Sequence, residues 1–159
     1  MMDIDEREDR AMALFREGYN CCQSVALAFS DVIEGCNGMS ESQIAAVAGG
    51  FGGGFGRLRE VCGCVSGMTF VAGALHPSSP SCDARKECYS LVQELAEAFR
   101  AENGAIVCRE LLGLKAGRKD VPQPAERTPA YYAARPCERL VGSAARVVAE
   151  KLRELENLP

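Results

Sequence analysis

The sequence predicts an all-α protein, a single Cys-rich domain over residues 1–159 folded as a helical bundle of about six helices, with a buried Gly-rich loop before the central helix. Three observations predict it. Apolar residues recur at i, i+3, i+4 and i+7, most clearly at Cys88, Leu91, Val92, Leu95 and Phe99 and again from Leu140 to Leu155. Asn20 with Gln23, and Ser40 with Gln43, have the spacing of capping boxes, in which two side chains reciprocally satisfy the free N–H groups at a helix start. No stretch alternates apolar and polar residues with the two-residue period of a half-buried strand.

In chain order, Asp3 to Glu17 reads as a first helix with Ile4, Ala11, Leu14 and Phe15 on one face and charges elsewhere, stopped by Gly18. A second helix runs from the Asn20 cap to about Ile33, with Cys21 and Cys22 in its first turn. After a turn at Gly35 to Gly38, a third covers Glu41 to Ala48. The loop follows, with six glycines within eight residues of Gly49 to Gly56. Glycines of this density allow positive φ and bring backbone N–H groups close to a partner. The fourth helix, Cys62 to Leu75, is placed at the centre, because Gly63, Gly67, Ala72 and Gly73 let another backbone approach closely; His76-Pro77 ends it. Ser81 caps a long fifth helix from Cys82 to about Glu102, closed by Asn103-Gly104. A short segment, Ala105 to Leu112, carries Cys108. Leu114 to Pro129 is polar and rich in proline and reads as an ordered surface crossing. Pro136 opens the last helix, which puts Cys137 in the first turn and carries a long apolar seam.

Composition narrows the function. A chain of 159 residues buries roughly two thirds of its unfolded surface, so it does not need its nine cysteines as staples. A net charge of −4, with basic residues spread along the chain, argues against nucleic acid. The charged N-terminus lacks the pattern of a secretory signal, and the least polar run, Val65 to Leu75, is too short to cross a bilayer. These features predict a cytoplasmic protein without membrane insertion, in a compartment where clustered cysteines bind metal or do redox work.

Cys21, Cys62 and Cys137 each fall at a predicted helix start. A helix N-terminus favours an anion and lowers a thiol pKa by about one unit. If such thiols converge, mutual repulsion raises their pKa values unless a cation, a cluster or a disulfide relieves it. Convergence therefore points to a metal or a disulfide, and separation to ordinary buried thiols. Cys36 and Cys88 read as packing residues, as do Cys22 and Cys82. Cys64 forms a Cys-x-Cys pair with Cys62, able to chelate or to close a strained disulfide. Cys-x-x-Cys is absent, and with it the usual signatures of thioredoxin chemistry, zinc ribbons and c-type haem. The glycine loop matches neither phosphate-binding fingerprint. Arg57 and Arg59 read as solvated or paired with Glu60, and His76 as a surface residue.

Four pieces together resemble a bacterial and archaeal family named for its C…GCAxxG…C…C cysteine pattern and held to be redox-active. They are Tyr19-Asn20-Cys21-Cys22-Gln23-Ser24-Val25, the glycine loop with Arg57 leading into Cys62-Gly63-Cys64-Val65-Ser66-Gly67, then Cys108-Arg109-Glu110-Leu111-Leu112-Gly113, and Cys137. The resemblance implies that Cys21, Cys62, Cys108 and Cys137 are the functional cysteines, with Cys22 and Cys64 as substitutes. The central match reads as Cys-Gly-x-x-x-Gly from Cys62. The family is similar to a domain of split-Soret-type cytochromes, which implies an iron–sulfur centre without haem.

The expectation is an electron carrier whose four thiolates ligate an iron–sulfur cluster of the [2Fe–2S] type, with loop and helix N–H groups at Gly52, Gly53, Gly54 and Gly63 against it and an unidentified protein as redox partner. The apolar seam of the last helix is the surface a homodimer would use. A thiol–disulfide protein in which Cys62 pairs with a converging cysteine is the alternative. A third reading is a structural Cys₄ zinc site or a non-redox binding module.

Overall fold

Arg7 shows how far distant residues override local pattern. It sits on the first helix, where the sequence places charges in solvent, yet it is 1% exposed. Its Nη1 donates to the Ala28 carbonyl at 2.6 Å, its two terminal nitrogens bind Asp31 at 2.6 and 2.9 Å, and its guanidinium lies 4.8 Å from the Phe29 ring centroid. A buried charge is tolerated only when paired and hydrogen-bonded. Here the partners come from a break in the chain at Ala28 and Phe29.

The computed structural model describes residues 2–76 and 79–158. Its helices are α1 (Ile4–Arg16), α2 (Cys21–Leu27), α3 (Ser30–Asn37), α4 (Glu41–Ala48), α5 (Gly63–Ala74), α6 (Cys82–Asn103), α7 (Cys108–Leu111), α8 (Pro129–Ala134) and α9 (Cys137–Glu156). Between α4 and α5, Gly49–Phe51 is a 3₁₀ turn. Gly52–Phe55, with Gly53 and Gly54 at φ 68° and 69°, is a left-handed turn and not a helix. The protein is all-α, with no strand among the described residues and only an isolated antiparallel bridge between Val61 and Val107.

Among the described residues, nine helices replace the expected six or so. The segment from Asn20 to Ile33 splits into α2 and α3 at the break that Arg7 requires. The polar crossing after Leu114 contains α8, whose start is set by the Thr128 side chain accepting from the Tyr131 N–H and by Pro129 in the first turn. The expectation of a buried loop is corrected too: Gly54 and Arg59 are enclosed, but Phe51 and Phe55 are each 38% exposed. The loop is a wall with one dry and one wet face.

One contiguous cluster of apolar side chains fills the centre, including Phe29, Ile44, Met68, Val71, Phe99 and Val141. Within it α1 packs on α9, α2 on α5 and α5 on α6. The small residues of α5 have the role expected of them: a Cβ at Gly67 would lie 2.7 Å from the Val25 Cβ, so α2 and α5 meet through their backbones. Pro77, expected to stop α5, lies outside the described residues; Leu75 caps the helix. No helix of the described residues is long and apolar enough to cross a membrane.

Candidate functional site

The loop reverses direction through six residues with left-handed backbone: Gly53, Gly54, Phe55, Gly56, Arg57 and Arg59. At the three non-glycine positions this conformation costs roughly 1–2 kcal/mol each. Backbone bonds hold it, from the Gly56 N–H to the Gly50 carbonyl (3.0 Å), from Arg59 to Gly53 (3.2 Å) and from Glu60 to Gly54 (3.1 Å). Arg59 locks it further. Its Nε and Nη2 donate to the Asp120 carboxylate at 2.7 and 2.6 Å, and its Nη1 lies 3.6 Å from the Cys108 sulfur. Arg59 and Arg118 hold the Asp120 carboxyl below the usual carboxylate range. The expected pairing of Arg59 with Glu60 is thereby corrected: Glu60 pairs with Arg109 at 2.8 Å, and Arg59 is buried.

Beyond the loop the chain runs beside the segment before α7. The Cys62 N–H donates to the Ile106 carbonyl at 2.8 Å and the Cys108 N–H to the Glu60 carbonyl at 2.6 Å. That short crossing sets Cys62 and Cys108 side by side. Cys62 caps α5, while Cys21 and Cys137 begin α2 and α9.

These elements converge on a cavity of about 70 Å³ whose lining includes Cys21, Cys62, Cys64, Cys108, Cys137 and Arg59. The four cysteines named from the sequence thus share one space, and Cys64 joins them. Cys22 does not line it; it is fully buried in the core. Cys36 and Cys82 are exposed and Cys88 is half-buried, so Cys36 and Cys82 are not the packing residues expected. Gly53 and Gly63 line the cavity. Gly54 packs against the Cys108 Cβ and Gly52 against the Asn20 side chain, where added Cβ atoms would lie 2.8 and 2.5 Å from the nearest atoms of those side chains. Gly63 is the tightest position, because a Cβ there would lie 2.2 Å from the Cys21 sulfur.

The thiols are electrostatically unequal. A hydrogen bond from the Cys64 thiol lowers the Cys21 pKa to about 6, against the opposing effect of burial and with help from the backbone N–H groups of Gly53 and Cys22. The same contact, together with one to Cys62, pushes Cys64 well above the ordinary thiol range. The backbone amides converge on Cys21, so Cys21 holds the charge and Cys64 the proton. Burial, then the proximity of Cys21 and Cys62, pushes Cys137 up to about 12. Burial likewise raises Cys108 despite Arg59, and raises Cys22. The expected lowering at Cys137 is therefore corrected. A helix start is worth up to about 2 kcal/mol to an anion, whereas full burial moves a pKa by as much as roughly 3–5 units.

Thiolates and thiols are chemically suitable donors for iron or zinc. Among the described residues no three His, Cys, Asp or Glu side chains are grouped so as to hold a metal ion.

Several residues of the site carry no recognisable signal in the sequence. Arg59 is invisible because its burial depends on Asp120, 61 residues away. Arg127, Tyr131 and Arg135 also border the cavity, carried there by α8 and its flanks. The one available signal was Thr128-Pro129, a helix start within the crossing.

A family model described as "Putative redox-active protein (C_GCAxxG_C_C)" matches residues 19–151. No curated protein and no solved structure matches the chain, and none of these comparisons links it to split-Soret-type cytochromes.

Proposed function

The chain belongs to this family of redox-active cysteine proteins, and on that premise we propose that it works as a dithiol–disulfide couple, with Cys21 the attacking thiolate and Cys64 the resolving thiol. The observation that carries the reading is the seat of the Cys21 sulfur: it lies against the bare Cα of Gly63, faces the Gly53 N–H, and accepts from the Cys64 thiol. Cys21 is the half-buried residue of the pair and Cys64 the enclosed one, which suits Cys21 to attack and Cys64 to resolve.

The Cys21 thiolate attacks one sulfur of a substrate disulfide, forms a mixed disulfide and releases the other half as a thiolate. Cys64 gives its proton to that departing thiolate and attacks the Cys21 sulfur. The Cys21–Cys64 disulfide forms and the second half of the substrate leaves. Two electrons pass from protein to substrate. A dithiol reductant returns them by the reverse sequence, and a reducing cytoplasm would keep the couple in the dithiol state. An iron–sulfur electron carrier would draw on the same thiols, but their grouping does not support it, and no step is assigned to a metal.

The test is disulfide mapping after mild oxidation. Oxidation should remove two titratable thiols and yield a peptide pair joining Cys21 to Cys64. Cys64→Ser should trap the mixed disulfide on Cys21. An unchanged thiol count after oxidation refutes the proposal.

A further inference from the structure

Outside the thiol cavity, on the solvent side of the glycine loop, lies a groove of about 340 Å³. Volumes of this order suit a small molecule. The groove and the thiol cavity share Gly53, Arg59, Arg127, Tyr131 and Arg135 as walls, so one opens beside the other. Four arginines line it, Arg57, Arg59, Arg127 and Arg135, and no carboxylate does, in a chain whose net charge is −4.

These arginines are unequally committed. Arg59 is spent on Asp120. Arg127 donates to the carbonyls of Phe15 and Tyr19 at 3.1 and 3.2 Å, contacts that leave its positive charge uncompensated. Arg57 reaches Asp120 only at 3.7 Å, and its Nε is buried without a hydrogen-bond partner among the described residues. Arg135 stacks 5.1 Å from the Tyr131 ring centroid, beside Arg127 at 5.0 Å from the same ring. Both guanidinium groups thus rest on the one Tyr131 ring. A buried donor without a partner carries an uncompensated desolvation cost, and the charges of Arg127 and Arg135 meet no carboxylate among the described residues that line the groove. An anion in the groove would supply the missing counter-charge.

We infer that this groove is the substrate subsite of the thiol site, and that its substrate is a small anionic disulfide. The charged group lies against Arg57 and Arg135 while the sulfur–sulfur bond reaches Cys21. The inference rests on the dithiol reading above and names its substrate class. The bonds made and broken are those already given: Cys21 joins one half of the disulfide, and the other half leaves as a thiolate.

The experiment follows modification of Cys21 by peptide mapping, with dithiobis(nitrobenzoate) as the anionic probe and dithiodipyridine as the neutral one. Each rate is divided by that of mercaptoethanol to remove intrinsic reactivity. The normalised anionic-to-neutral ratio of the wild type should exceed one and decline with added salt, as screening predicts. Arg135→Gln and Arg57→Gln should each lower the ratio by about threefold, the size expected of a partly exposed charge pair. Arg135→Lys should keep most of it. Because the readout is a ratio at one cysteine, partial loss of fold affects both probes alike. A wild-type ratio near one, or a ratio that neither Gln variant changes, overturns the subsite while leaving the thiol chemistry standing. A Cys21 inert to both probes overturns the dithiol reading and the subsite with it.

Discussion

Removing the Cys64 thiol should raise the pH at which Cys21 becomes reactive. The Cys21 pKa stands at about 6 against an ordinary 9.0, and the hydrogen bond from Cys64 is the largest single cause. A shift of this size corresponds to about 4 kcal/mol of preference for the thiolate. A hydrogen bond to a charged acceptor contributes roughly 1.5–3 kcal/mol, equivalent to about one to two pKa units. Cys64→Ala should therefore move the midpoint from about 6 to roughly 7–8. It should stop short of the unperturbed value, because the Gly53 and Cys22 amides remain. Cys64→Ser keeps a hydroxyl donor and should lie between the two. The assay is the pH dependence of iodoacetamide alkylation, quantified on the peptide carrying Cys21 so that exposed Cys36 and Cys82 do not contribute. The midpoint is the proper readout. The rate at one pH is not, because a thiolate of higher pKa is also the stronger nucleophile. A midpoint near 6 that persists in Cys64→Ala would refute the assignment of Cys64 as donor, and a wild-type midpoint near 9 would refute the anionic Cys21 itself.

Gly63→Ala should damage both site and fold, because the new methyl group lies 2.2 Å from the Cys21 sulfur and 3.2 Å from both the Cys22 nitrogen and the Phe51 carbonyl oxygen. Overpacking of this kind costs about 1–3 kcal/mol in denaturant unfolding, and the displaced sulfur should show a raised alkylation midpoint. Stability should also depend on pH in two opposed windows. The depressed Cys21 pKa adds stability that is full above about 9, the unfolded value, and is lost as pH falls through about 6. The raised Cys64, Cys108 and Cys137 add stability below the unfolded value that is lost once pH climbs past it. Urea midpoints measured under anaerobic conditions should rise from pH 6 to about 9 and fall beyond. Cys21→Ser should remove the rise and also shrink the fall, because Cys21 is among the causes that raise Cys64 and Cys137; a rise that survives this substitution would count against the linkage.

What the sequence discloses about this protein follows the range of the forces involved. Capping is local, so Asn20 with Gln23 and Ser40 with Gln43 form both reciprocal bonds at the positions their spacing implies. Three of the cysteines at the cavity are legible for the same reason, since Cys21, Cys62 and Cys137 mark helix starts. The break between α2 and α3 is not local: its cause, Arg7, lies 21 residues from Ala28 and looks like any surface arginine of an amphipathic helix. Arg59 escapes notice likewise, because no pattern within the loop predicts a buried arginine with left-handed backbone. Cys64 was visible as half of a Cys-x-Cys pair, but its contact with Cys21 depends on α2 and α5 meeting backbone to backbone. The α8 helix is hard to read for a different reason: its Thr128-Pro129 start lies inside a polar stretch whose prolines point to a surface crossing.

The crowding of thiols itself explains why Cys21 is charged while Cys64, Cys108 and Cys137 keep their protons. Cys21, Cys62, Cys64, Cys108 and Cys137 share a space of about 70 Å³, where a second anion would meet the first at low effective dielectric. The Cys21 proton therefore leaves readily, because amides and a neighbouring thiol stabilise the charge, whereas Cys64, Cys108 and Cys137 are held back by burial and by the neighbouring thiols. A couple built this way needs no cation inside the cavity to set its direction of attack. The protein's uncommitted positive charge lies instead on the outer side of the loop, at Arg57, Arg127 and Arg135, where it can act on the charge of an arriving molecule and leave the balance among the thiols unchanged. The glycine loop separates these two functions. Its Gly53 amide faces the thiolate and its Arg57 faces the groove, so the left-handed turn between them is what allows one short segment to serve both sides.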